Sequence, residues 1–157
     1  MIDLKKMDKA ELIELINALG YDSKFGMFQR DYAIRAIGGK AGTVMFIDLD
    51  NFKAMNTRLG YQAADKLVNE AFTPLTGKRD KYTVFRWFSG DEIVIFAENG
   101  IDPDDIEAVH AKIDFTGAIG YTDAAGLVRQ INDLSVQVMR LKKTGQKGTI
   151  LNNNEEE

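Results

Sequence analysis

Two short acidic segments hold most of the chemistry this sequence can offer. Asp48-Leu49-Asp50 closes the apolar run Thr43-Val44-Met45-Phe46-Ile47, whose β-forming residues read as a strand covered on both faces. Alternation along a strand puts the Asp48 and Asp50 carboxylates on one face, where Leu49 can offer only its backbone carbonyl. Oxygen donors of this kind suit Mg²⁺, which takes one or two carboxylates plus substrate phosphates. Acids also commonly end strands and cap the next element, so the spacing leaves both readings open. The second segment, Ser89-Gly90-Asp91-Glu92, separates the strand-like runs 82–88 and 93–96 and has the composition of a hairpin tip. Its glycine would let a ligand approach the backbone, and two adjacent acids follow, although an ordinary turn uses the same residues. Together the segments sharpen the expectation. If the Asp48 strand is central and the hairpin pairs beside it, Asp91 approaches Asp48, and two carboxylates can clamp the cations used for in-line phosphoryl and nucleotidyl transfer.

Composition excludes most other chemistry. The 157 residues contain no cysteine and one histidine, His110, which removes thiolate zinc sites, cysteine nucleophiles and most histidine-based triads. Lys plus Arg is 20 and Asp plus Glu is 24, a net charge of −4, and no basic block is long enough to follow a phosphate backbone. Nucleic acid is therefore not an expected partner. Nor is a membrane, because no apolar run reaches spanning or signal-peptide length, and a cytoplasmic location is the expectation.

The elements that must position the acids can be read from periodicity and punctuation. Asp8 with Glu11 has the form of a capping box, and Leu12, Leu15, Ile16 and Leu19 follow on one helical face before Gly20. A second helix is expected from about Gln29 to Gly38-Gly39, a third from about Gln62 to Phe72, and a short one from Asp102-Pro103 to about Ala111. Strands are expected at 115–121 and 149–151. Between them Leu127, Ile131, Leu134, Val138 and Leu141 repeat at helical spacing until Gly145. His110 reads as a surface residue or helix cap, and Trp87 as a packing residue. The sum is a single α+β domain with a sheet flanked by helices.

Phe46-Ile47-Asp48-Leu49-Asp50-Asn51-Phe52-Lys53-Ala54-Met55-Asn56, continuing through Gly60 to Asp65, resembles the first metal-binding segment of GGDEF domains, the diguanylate cyclase family. Ser89-Gly90-Asp91-Glu92-Ile93 resembles the family's signature turn. Asp22, Gly26 and Arg30 are spaced as in its opening motif, Thr116-Gly117-Ala118-Ile119-Gly120 resembles the strand that precedes its last helix, and Lys142 with Gly145 resembles that helix's end. The resemblance implies a palm or ferredoxin-like central antiparallel sheet flanked by helices. Residues 1–20 would lead into a domain at 21–151, and 152–157 would be a disordered acidic tail. It further implies Asp48, the Leu49 carbonyl and Asp91 as ligands for Mg²⁺ or Mn²⁺, with Asp48, Asp91 and Glu92 catalytic. Lys53 and Lys142 would meet the triphosphate, and Asn56 and Asp65 would read guanine. Phe52, Ser89 and Gly90 would lie against the substrate. The implied reaction joins two GTP into cyclic di-GMP across a transient homodimer.

Departures from the family pattern point to a second possibility, a domain that binds a guanine nucleotide with little or no turnover. Ser89 stands for the first glycine of the signature, Gln146 for a basic phosphate contact, Ala64 for a glycine, Tyr61 for a histidine and Ile93 for a phenylalanine, while Lys24-Phe25 replaces a Leu-Thr pair. The product-inhibition motif Arg-x-x-Asp would fall near Arg79 or Asp80, where neither Tyr82 nor Thr83 can supply the acid, so no such site is expected. The segment between hairpin and next strand is short, and no sensor module is expected, which leaves control to a separate regulatory protein.

Overall fold

Strand β3, Gly42–Leu49, is buried on both faces and forms the centre of the domain, as its unbroken apolar run implies. The computed structural model describes residues 3–22 and 26–154. In chain order the other elements are α1 (Lys9–Gly20), β1 (Tyr21–Asp22), β2 (Met27–Phe28), α2 (Arg30–Ile37), α3 (Phe52–Leu59), α4 (Tyr61–Ala71) and α5 (Thr73–Thr76). They continue with β4 (Thr83–Arg86), β5 (Glu92–Ala97), α6 (Pro103–His110), β6 (Phe115–Thr122), α7 (Leu127–Lys143) and β7 (Ile150–Asn152). A single sheet runs in the order β1-β2-β4-β5-β3-β6-β7. Its central four strands are antiparallel as expected, whereas β2 with β4 and β6 with β7 are parallel, so the sheet is mixed. Among the described residues no helix is long and apolar enough to cross a membrane.

Alternation sorts β3 into two cores. Met45, Ile47 and Leu49 pack with Val68, Phe72, Leu75, Ile106 and Val109 on the face covered by α4, α5 and α6. Val44 and Phe46 pack with Ala33, Ile37, Ile131, Leu134 and Val138 under α2 and α7. At the start of β3 a side chain on Gly42 would sit 2.7 Å from the Ala97 carbonyl oxygen, so glycine is what allows β5 to pair fully with β3 there.

Local sequence rules account for most helix ends. Asp8 accepts from the Glu11 amide at 2.8 Å, and Asp102 from the Asp104 amide at 2.9 Å with Pro103 in the first turn. Gly38, at φ 62°, closes α2. The sequence reading passes over α3, because Asn51, Asn56 and Thr57 are weak helix formers. Burial of Phe52 and Met55 against the core, and Gly60 at φ 83°, settle it. The first hairpin strand ends at Arg86 rather than Phe88, since the Phe88 ring turns outward and is 71% exposed. The expected tail also begins later. Asn152 belongs to β7, and the Asn153 side-chain amide donates to the Ile119 carbonyl and to Gln137. Glu155–Glu157 and Lys24-Phe25 lie outside the described residues.

One polar cluster ties α6 to the sheet. The buried Tyr82 hydroxyl donates to Asp105 at 2.6 Å and accepts from the Asp102 amide at 3.0 Å, while Lys78 contacts Asp105 at 2.6 Å. The Lys78 ammonium, then the Tyr82 hydroxyl, hold the Asp105 carboxyl below its ordinary value. A depressed acid adds stability that is complete above its unfolded value, about 4, and that fades as pH falls through the lower folded one. Asp105→Ala strands the Tyr82 hydroxyl and should lower unfolding free energy by about 1–3 kcal/mol at pH 7 in urea titrations, a deficit that shrinks as pH falls below about 4.

Candidate functional site

The antiparallel register of β3 and β5 sets Asp48 opposite Glu92, one residue beyond the turn. The Leu49 amide donates to the Asp91 carbonyl at 2.8 Å, continuing the ladder into the turn, and Glu92 closes the turn on the Ser89 carbonyl at 3.2 Å. These backbone bonds bring the Asp91 carboxyl within interaction range of Asp48. Burial, opposed by Lys142 and reinforced by Asp91, pushes the Asp48 carboxyl up from 3.8 to about 6. Asp50 points to the same side: its carboxylate accepts from the Thr116 hydroxyl at 2.9 Å, and its amide donates to the Asp114 carbonyl.

Lys142, in the last turn of α7, reaches into this group of acids. Its ammonium lies 3.1 Å from Asp48 Oδ1, 3.0 Å from Asp50 Oδ1 and 3.2 Å from the Leu49 carbonyl oxygen. The sequence reading places Lys142 on a triphosphate; here it meets the acids expected to hold the cation. Asp48 Oδ1 is buried, and the Lys142 ammonium is the group that faces it. Among the described residues no three acidic or histidine side chains converge into a ready metal centre. The Asp48 carboxylate, with its buried Oδ1, the Asp91 carboxylate and the Leu49 carbonyl are nevertheless oxygen donors of the kind magnesium takes together with water and phosphate.

At the turn the Ser89 hydroxyl lies 2.8 Å from Asp91 Oδ1 and 2.5 Å from Glu92 Oε1, and the Ser89 amide donates to the same Glu92 oxygen at 3.0 Å. One hydroxyl proton can serve only one of these acids at a time. A side chain on Gly90 would come within 2.9 Å of the Arg86 guanidinium and 3.4 Å of the Phe52 ring, so glycine keeps the turn low over both.

The guanine-reading candidates lie on the other face. Phe52 and Asn56 share a side of α3 one turn apart, and Asn56 Oδ1 is buried without a hydrogen-bond partner. Asp65 is 6% exposed on α4. Lys53 stands exposed on the first turn of α3. Arg86 is the residue that sequence reasoning missed. Half-buried at the end of β4, it feels the charges of Asp22, Asp65 and Asp91, and desolvation lowers its affinity for its proton. The available signal was one basic residue in the otherwise apolar run before the turn. Trp87 is buried as expected. His110, half-buried rather than on the open surface, packs against Phe115 with the rings tilted by 37° and their centroids 4.4 Å apart.

The family model "Diguanylate cyclase, GGDEF domain" matches residues 29–115. The cyclic di-GMP phosphodiesterase NbdA of Pseudomonas aeruginosa is 41% identical over 63 residues, 38% of this chain, and the chain spans only 8% of that protein's length. A microbial GGDEF domain studied with cyclic di-GMP superposes with a TM-score of 0.68 at 18% identity, covering 88% of this chain and 99% of the other. The diguanylate cyclase SiaD of P. aeruginosa, solved with its activator SiaC, gives 0.67 at 17% identity over 94% of this chain and 67% of that one. Vibrio cholerae LapD, bound to cyclic di-GMP, gives 0.68 at 14% identity over 94% of this chain and 40% of its own.

The raised Asp48 carboxyl gives a pH test. An acid whose folded pKa exceeds its unfolded one keeps its proton more readily when folded, so metal-free protein loses Asp48-linked stability as pH rises from about 4 to about 6. Asp48→Asn should therefore gain stability relative to the parent across that interval in chelator-treated buffer, read by thermal melting, and show a constant difference above about pH 7.

Proposed function

The chain belongs to the GGDEF domain family, and on that premise we propose that it is a diguanylate cyclase which binds GTP at the Asp48–Asp91 turn and condenses two GTP to cyclic di-GMP in the cytoplasm. The 3′-hydroxyl oxygen of one nucleotide bonds to the α-phosphorus of the other, the bond to the β-phosphate breaks, and pyrophosphate leaves. The same exchange in the opposite sense closes the ring. Each protomer holds one GTP, so a transient homodimer must bring two sites face to face.

The carrying observation is the register that sets the Asp91 turn against Asp48, whose buried Oδ1 meets the Lys142 ammonium. In this reading Asp48, the Leu49 carbonyl and Asp91 hold Mg²⁺ or Mn²⁺, which when bound neutralises phosphate charge and makes the attacking hydroxyl more acidic. Lys142 then moves from the acids to the triphosphate, where it and Lys53 act as point charges. Asn56 and Asp65 accept from the N–H donors on the pairing edge of guanine, which adenine does not present in that arrangement. Phe52 supports the base, Ser89 and Gly90 border ribose and phosphate, and Glu92 is a second acid at the turn. Control by a separate activator protein, as SiaD has in SiaC, is the form of regulation that suits this reading.

A second reading is a nucleotide-binding module without turnover. It is favoured by the Lys142 ammonium against Asp48, Leu49 and Asp50, and by the Ser89 hydroxyl against Asp91 and Glu92, since acids already engaged are harder to recruit.

Incubation with GTP and Mg²⁺ or Mn²⁺ at high protein concentration should yield cyclic di-GMP by mass spectrometry. Absence of product together with retained binding of a non-hydrolysable GTP analogue would establish the second reading. Asp91→Asn should cut turnover by about 10²-fold or more while leaving the melting temperature near the parent value. Asp65→Ala should reduce the preference for GTP over ATP by about tenfold or more, measured by competition binding, and an unchanged preference would remove Asp65 from guanine recognition.

A further inference from the structure

Two of the three groups assigned above to the divalent cation are engaged by the chain's own lysine. The Lys142 ammonium lies 3.1 Å from Asp48 Oδ1 and 3.2 Å from the Leu49 carbonyl oxygen. A third oxygen, Asp50 Oδ1, meets it at 3.0 Å. This is a built contact, not the chance reach of a surface lysine: only 19% of the Lys142 side chain and 4% of the Asp50 side chain are exposed. The Asp50 carboxylate is fixed in turn by the Thr116 hydroxyl at 2.9 Å, and that hydroxyl accepts from the Gly148 amide at 3.0 Å. Thr116 therefore ties β6 and the loop after α7 to the acid that receives the ammonium. The Gln146 amide closes the end of α7 on the Leu141 carbonyl at 2.8 Å, with Gly145 at φ 75°, which fixes the turn that carries Lys142.

We propose that Lys142 is a built-in competitor for the divalent cation, so that this chain binds the ion weakly by itself and takes up ion and triphosphate as a coupled pair. This rests on the reading above of Asp48, the Leu49 carbonyl and Asp91 as the cation's ligands. An ion and an ammonium that both draw on Asp48 Oδ1 and the Leu49 carbonyl stand within a few ångströms of each other. In a half-buried place their repulsion is poorly screened, so the ion must displace the ammonium. An ammonium taken from its acid needs another anion, and a triphosphate beside the ion supplies one. Asp50 is outside the proposed ligand set, so it can keep hold of the ammonium through the exchange. Asp50 and Thr116 are then positioning residues for Lys142. The linkage is reciprocal: the factor by which nucleotide tightens the ion is the factor by which the ion tightens nucleotide.

The test reads metal binding, not turnover, with Mn²⁺ as the probe and its free concentration followed by electron paramagnetic resonance. Without nucleotide, Lys142→Met should bind Mn²⁺ about tenfold or more tighter than the parent, a gain that a lysine merely bracing the fold would not give. Adding Asp48→Asn to Lys142→Met should abolish the gain, which locates it at these acids. A non-hydrolysable GTP analogue should tighten Mn²⁺ on the parent by a factor about tenfold or more larger than on Lys142→Met. Unchanged or weaker Mn²⁺ binding by Lys142→Met, or equal factors for the two proteins, overturns the proposal. Because Lys142→Met leaves the Asp48 and Asp50 carboxylates without their counter-charge, a second arm uses the parent alone. Parent crystals soaked in Mn²⁺ with and without the analogue should show an anomalous peak between Asp48 and Asp91 only when the analogue is present. A peak without nucleotide overturns the proposal, and no peak in either soak overturns both it and the cation site. If Mn²⁺ and the analogue bind in this coupled way while the parent makes no cyclic di-GMP from GTP, the reaction assigned above fails and the competition by Lys142 stands.

Discussion

Everything at the candidate site depends on one backbone register, that of β3 against β5. It sets Asp48 opposite Glu92 and hands the Leu49 amide to the Asp91 carbonyl, so the two acids meet through main-chain hydrogen bonds rather than through mobile side chains. A slip of one residue would send every side chain of β5 to the wrong face, taking Ile93 and Ile95 out of one core and Val94 and Phe96 out of the other. The apolar pattern that stabilises the domain therefore also fixes the geometry of its acids.

Given that register, the electrostatic character of the site comes from burial. Asp48 is taken far enough from water to raise its carboxyl, and Asp91 raises it further, yet the same place admits Lys142 as a counter-charge from α7. The positive charge held there in this structure is the Lys142 ammonium. A divalent ion with phosphate could satisfy the same acids more fully. On the opposite face Arg86 performs the corresponding service among Asp22, Asp65 and Asp91. Each of these two basic groups sits among acids, so the negative balance of the chain is partly offset at the turn.

Much of this was legible in the sequence because the signals were local. The run 43–47 announced a doubly covered strand, the 4-3-4-3 spacing from Leu127 to Leu141 announced α7, and Asp102-Pro103 announced the start of α6. Elements that depend on tertiary packing were less visible. Helix α3 owes its existence to Phe52 and Met55 meeting the core, and the two-residue strands β1 and β2 exist only through pairing. At the site the acids could be named from motif and spacing. The position of Lys142 against them could not, since it depends on where the end of a 17-residue helix arrives over the sheet. Arg86 was hidden for the same reason: its partners Asp22 and Asp65 come from distant parts of the chain.

The central claim is that the register of β3 and β5 builds one cation site between Asp48 and Asp91. Its most direct test is anomalous diffraction from crystals grown with Mn²⁺ and a non-hydrolysable GTP analogue. The account predicts a manganese peak within about 2.0–2.4 Å of oxygens from Asp48, the Leu49 carbonyl and Asp91, with the Lys142 ammonium moved onto phosphate. Nucleotide bound in the same crystals with no peak between those residues, and Lys142 still against Asp48 and Asp50, would contradict it.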